Sequence, residues 1–214
     1  MKRLFLFIII VSSILFTSIL ELKSCPSGEG WGTDSVITTV RNSEDDYCTV
    51  VIWYCIKQWT DEFGTIHFDM VLDYWYFTDQ MCASYMRYNN EFWADLDKAI
   101  WYDMFKEHSH AFPPCSTGND RLIVTISLTH CYKIVNDMVQ MVCKMVPCQE
   151  DLLCQKIYSV CIEDYGPPVL LRKDLISEFH GPSLCPDMPE MLDPNYYPPT
   201  QSWETPCYTP TWCD

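Results

Sequence analysis

Thirteen cysteines follow an apolar amino-terminal run, and together they limit what this chain can become. Lys2 and Arg3 precede an uncharged stretch from Leu4 to Leu20, and a short polar segment leads from it to Cys25. That is the three-part layout of an export signal. At about 17 residues the run also sits at the short end of what crosses a bilayer as a helix, so a retained anchor is the competing expectation for residues 1–24. An exported chain meets oxidising conditions, where cysteines at this density form disulfides. The C-x2-C pairs typical of structural zinc sites are missing from the sequence, which weakens the thiolate-metal reading.

The expected cross-linking residues are Cys48, Cys55, Cys82, Cys115, Cys131, Cys143, Cys148, Cys154, Cys161, Cys185, Cys207 and Cys213. Cys25 makes the total odd, so at least one sulfur must be free, modified or bonded to another chain. The segment Leu22-Lys23-Ser24-Cys25 resembles the bacterial lipobox, which directs lipidation of its cysteine. Lys23 departs from the small residue usual in that motif, and lipid, bridge and free thiol all stay open for Cys25.

Strand geometry removes some pairings. "YCTVVIWYCIKQW" is so rich in β-branched and aromatic residues that it reads as a strand, with Cys48 and Cys55 on opposite faces and about 23 Å apart at ~3.3 Å per residue. A disulfide needs Cα atoms within about 7 Å. The same reasoning separates Cys154 from Cys161 in "LCQKIYSVCIED".

The fold class expected is α+β: antiparallel hairpin and meander strands with one main amphipathic helix. Strands are predicted over 35–41, 47–59 and 66–77, with "TDEFGT" as the hairpin turn between the last two. Apolar residues at three- and four-residue spacing predict a helix over 90–108. A second β-rich set, 121–135, 138–146 and 152–164, has connections short enough for a meander. These elements make a disulfide-rich domain over residues 25–180. Eight prolines from Gly181 onward predict an extended tail, 181–214, pinned by its cysteines and rich in aromatic residues.

Function is less legible. A net charge of −15 disfavours nucleic acid, which needs a basic surface, and leaves membrane contact only to the amino-terminal segment or a lipid. His108 and His110 are the one close histidine pair, a metal candidate that lacks a third histidine nearby. Neither a Gly-x-Ser-x-Gly elbow nor a phosphate-cradling loop occurs, and no cofactor is expected. Paired carboxylates such as Asp69 and Asp73 leave a hydrolase, with metal help at the histidines, as the alternative. The primary expectation is an exported binding or structural protein, secreted, periplasmic or at the cell envelope. Its partner would be a protein or carbohydrate surface, met by the Trp/Tyr-rich strands and the aromatic tail.

Each bridge contributes on the order of 2–4 kcal/mol, mainly by restricting the unfolded chain, against a domain stability of about 5–15 kcal/mol. Excess reductant without denaturant is expected to abolish the near-ultraviolet circular dichroism, and its survival would contradict the cross-linked framework.

Overall fold

The computed structural model describes residues 25, 26, 28–41, 47–79, 82, 86, 88, 90–117, 121–129, 131–148, 153–166, 168–181, 185–189, 191–210 and 212. Residues 1–24, the expected export segment, and Cys213 lie outside the described residues.

Strands β1 (Trp31–Arg41), β2 (Tyr47–Thr60) and β3 (Ile66–Phe77) form an antiparallel ribbon. The β2–β3 turn is built by Asp61, whose carboxylate accepts the N–H groups of Phe63 and Thr65 at 2.9 and 2.8 Å. Gly64 supplies the left-handed step, with φ +83, that a side chain would resist. Helix α1 (Asn90–His108) buries Phe92, Trp93, Leu96, Ile100, Trp101 and Met104, the stripe that its sequence period marks. Trp93 meets Trp75 of β3 edge-on at 5.6 Å between ring centres, and Phe92 lies 6.4 Å from Phe77. Such tilted and edge contacts are favoured by the ring quadrupole.

Two short 3-10 turns, Ser109–Ala111 and Cys115–Thr117, lead to β4 (Leu122–Thr129), β5 (Tyr132–Asp137), β6 (Val142–Pro147), β7 (Leu153–Asp164), β8 (Leu170–His180) and β9 (Trp203–Glu204). The last six strands do not form a meander. The predicted strand 121–135 is two strands, β4 and β5, and the turn after β5 falls at Met138–Met141, where Met141 takes φ +56. β5 and β6 form a hairpin, while β4 pairs antiparallel with β7 and parallel with β3. β8, which the sequence did not suggest, pairs with the far edge of β7.

The branching lies in β3. One edge of β3 pairs with β2 along its length, whereas the other edge is shared, His67–Val71 with β4 and Trp75–Phe77 with β6. Between those segments the β2–β3 register slips, Trp53 opposing Tyr74 while Tyr54 opposes Leu72, so Asp73 is an extra residue. A bulge bends its strand and raises local twist. It also reverses side-chain parity, and the buried positions change from Phe68, Met70 and Leu72 to Trp75 and Phe77. The aromatic pair therefore stays on the helix side while the sheet divides.

Five bridges join described residues: Cys25–Cys55, Cys48–Cys82, Cys115–Cys161, Cys131–Cys185 and Cys148–Cys207. Cys154 is disulfide-bonded as well. With its sulfur in a bridge to Cys55, Cys25 carries no thioether in this form. Cys143 is the correction to the expected set: it is a free thiol, fully buried on β6 opposite Phe77. Its side chain joins the apolar core instead of meeting another sulfur, and burial pushes its thiol up to about 12. A disulfide-rich chain of this kind matures in an oxidising compartment. Among the described residues no helix is long and apolar enough to cross a membrane.

A thiol held neutral and buried reacts poorly with alkylating agents. Iodoacetamide at neutral pH is expected to leave Cys143 unlabelled in the native protein and to label it once guanidinium is added without reductant. Peptide mapping that found Cys143 in a bridge, or labelled in the native state, would overturn this assignment.

Candidate functional site

Helix α1 carries a second stripe beside its buried one: Asp95, Lys98, Ala99, Tyr102, Phe105 and Lys106, at helical three- and four-residue spacing. The sheet curls around the helix, so two of its outer strands, β1 and β8, both reach this stripe. On the β1 side the Arg41 backbone N–H donates to the Asp95 carboxylate at 2.9 Å. On the β8 side Lys173 Nζ lies 3.0 Å from the Asp97 carboxylate and 4.9 Å from the centre of the Trp101 ring. Between the two strands lies a groove of about 740 Å³, floored by α1 and walled by Val36–Thr39 on one side and Val169, Leu171 and Lys173 on the other. That size lies within the roughly 300–1,000 Å³ of ligand sites. Ile37 and Tyr102 stand at its mouth, 70% and 69% exposed.

The β1 wall contributes backbone as well as side chains. Thr49 of β2 turns its carbonyl toward β3, where it accepts the Thr78 N–H at 3.1 Å. Thr39 is opposite Thr49 in an unbroken antiparallel register, and opposed residues in such a pair point their polar groups either toward or away from each other together. Thr39 therefore directs its N–H and C=O away from β2. The alternation extends to Ser35, Ile37 and Arg41. The outer N–H groups at the two ends are capped, Ser35 by Asp34 at 2.7 Å and Arg41 by Asp95. Ile37 and Thr39, between them, face the groove.

The groove also departs from the charge of the chain. Lys98, Lys106 and Lys173 line it beside one acid, Asp95, although the protein carries 14 basic and 29 acidic side chains. Lys106 pairs with Glu107 on the surface at 3.0 Å, and Lys173 is held by Asp97.

Next to the groove, the Tyr54 hydroxyl donates to Asp103 Oδ2 at 2.6 Å and ties β2 to α1. Burial pushes the Asp103 carboxyl above its usual range, and the charges of Asp34 and Glu107 add to the effect, against the lowering influence of the Tyr54 hydrogen bond. Burial raises Tyr54 far above an ordinary phenol, and Asp103 contributes further.

The sequence-marked residues fall elsewhere. His108 and His110 do come together, with ring centres 6.4 Å apart, and His108 packs against Phe68 at 5.0 Å. Among the described residues no group of three His, Cys, Asp or Glu is arranged to hold a metal ion. Trp53 stacks on Tyr74, and Trp59 on His67 at 4.1 Å, while Trp75, Trp93 and Trp101 are in the core. Tyr196 of the carboxy-terminal segment is 78% exposed. Sequence reasoning missed the groove because one wall is β8; "LLRKDLISEFH" follows neither a strand nor a helix period. Ala99, Tyr102 and Phe105, apolar positions outside the main buried stripe, were the available signal.

The Asp103 shift has a definite pH consequence. A carboxyl raised in the folded state makes folding less favourable as pH climbs from its ordinary 3.8 toward the folded value, and the loss is constant above that. Asp103→Asn keeps an acceptor for Tyr54 and removes the titration. Urea unfolding is expected to show the variant gaining stability on wild type across that window; a difference independent of pH would refute the shift. Comparison of the chain with protein-family models, curated proteins and solved structures finds no match, so its function must be argued from this geometry.

Proposed function

We propose that this protein is an exported, non-catalytic binding protein, secreted or held at the cell envelope, and that the groove between β1, α1 and β8 is its recognition site. The observation that carries the reading is the groove itself. A helix of a small cross-linked domain leaves Ala99, Tyr102 and Phe105, flanked by Asp95, Lys98 and Lys106, facing a groove between two strands, with Ile37 and Tyr102 exposed at the mouth. Exposed apolar surface rimmed by polar groups marks an interaction site more often than chance. The bridges support export, and two of them fix the strands next to the walls, Cys55 on β2 beside β1 and Cys161 on β7 beside β8. The partner belongs to the class expected of a surface-binding protein, although the groove, instead of the tryptophan-bearing strands, now supplies the contact.

The hydrolase alternative, expected from paired carboxylates such as Asp69 and Asp73 with metal help at His108 and His110, would find its burial-raised acid in Asp103. Its weakness is that the Asp103 carboxylate already accepts the Tyr54 hydroxyl in a contact that joins sheet to helix, a structural use of the acid that burial raises.

Nile red, a neutral dye that brightens in apolar surroundings, tests the site. It is expected to bind the native protein and to change the emission of Trp101, which lies in the helix that floors the groove. Ala99→Trp, which fills the floor, and Ile37→Asp, which charges the mouth, are each expected to weaken dye binding at least tenfold with unchanged far-ultraviolet circular dichroism. Equal binding by wild type and both variants would remove the groove as the site.

A further inference from the structure

We infer that the occupant of this groove is an extended peptide segment of a partner protein, acidic and apolar by turns, which adds as a strand to the open edge of β1. The inference rests on the groove being the recognition site and goes beyond it by naming the partner chemistry.

The edge chemistry selects a peptide. Ile37 and Thr39 present their N–H and C=O groups to the groove between two capped ends, and among the described residues β1 pairs only with β2. A purely apolar ligand would strip water from these groups and return no hydrogen bonds, which is unfavourable. A strand pairs with them directly, as in other cases where a peptide extends a sheet.

The floor sets side-chain alternation. A strand laid along β1 directs every second side chain toward α1, where Ala99, Tyr102 and Phe105 offer apolar contact and Leu171 closes the opposite wall. The charge of the groove sets the sign. Asp97 holds Lys173, and Glu107 pairs with Lys106 only at the exposed rim, while Lys98 has no acidic partner among the described residues, so a carboxylate-bearing segment complements Lys98 and competes for Lys106. Asp95 and Asp34 cap the N–H groups of Arg41 and Ser35 and so limit the open stretch to the residues between. That stretch matches a short segment of about five residues at ~3.3 Å each.

The test uses the intact oxidised protein and a synthetic pool of acetylated heptapeptides that alternate Glu or Asp with Val, Leu or Phe. A second pool replaces the acids with Lys. The acidic pool is expected to contain binders at least tenfold tighter than any in the lysine pool. Methylation of alternate backbone nitrogens in the best binder, on the set that faces β1, is expected to weaken it at least tenfold, while methylation of the other set has a smaller effect. Ile37→Pro removes one edge N–H where an edge strand tolerates proline, and is expected to abolish peptide binding while Nile red still binds. The methylated peptides give the same answer without altering the protein. Nile red binding with no binder in the acidic pool, or binding indifferent to methylation on both sets, overturns the peptide inference and leaves the groove as a site for another ligand. Loss of both dye and peptide binding overturns the groove reading as well. A sodium dodecanoate titration that competes with Nile red, when no peptide does, assigns the groove to a small amphiphile and also overturns the inference.

Discussion

The extra residue at Asp73 governs the shape of this molecule. A regular β3 would offer one straight edge to one neighbour. The bulge turns the strand where the pairing changes from β4 to β6, so one strand holds together two branches of sheet. Because parity reverses at the same point, Trp75 and Phe77 remain on the helix side with Phe68 and Met70. One branch carries β4, β7 and β8 round α1 until β8 faces β1 across the helix. The groove is a consequence: two edges of a curled sheet approach each other over a helix and stop short of closing.

The bridges reinforce the parts that this sheet does not bind through its own ladders. Cys25–Cys55 fixes the lead-in to β1, and Cys48–Cys82 fixes the segment before α1. Cys115–Cys161 anchors the turn after α1 to β7. Cys131–Cys185 and Cys148–Cys207 tie the chain beyond β8 to the β5–β6 hairpin, where β9 also pairs with β5. These links close separations of 30 to 59 residues, and longer loops restrict the unfolded chain somewhat more. Cys143 differs because its neighbours are core side chains held by packing, and a thiol there behaves as a small apolar residue.

Much of the first half could be read in the sequence. β2, β3 and α1 have strong periods and clear turn chemistry, and the expected ranges 47–59, 66–77 and 90–108 fall on the observed ones within a residue. The second half was harder for physical reasons. Continuous β-rich sequence from 121 to 135 hides a break, and adjacency in sequence predicts hairpins where β4 instead joins a parallel partner. β8 conceals its strand character because register irregularities at Ile157/Tyr158 and Ile162/Asp164 disturb its pairing, and as an outer strand it has no fully buried face. The candidate site inherits this difficulty. Its residues come from β1, α1 and β8, and only the curl of the sheet brings them together.

The two outer strands that wall the groove differ in a way that bears on recognition. β8 exposes Leu170, Leu175, Ile176 and Phe179, a hazard for any edge, but it also carries Arg172, Lys173, Asp174 and Glu178 and an irregular register around Ile176. Charges and bulges on an edge discourage another strand from pairing there. From Val36 to Val40, β1 has no charge, no proline and no register slip. An unprotected edge is tolerable if its surroundings restrict access, and here α1 and the wall containing Leu171 leave only a narrow approach. Of the two strands that wall the groove, the protein thus guards β8 with charges and an irregular register and leaves β1 regular and uncharged, a distribution that suits selective strand addition better than general stickiness.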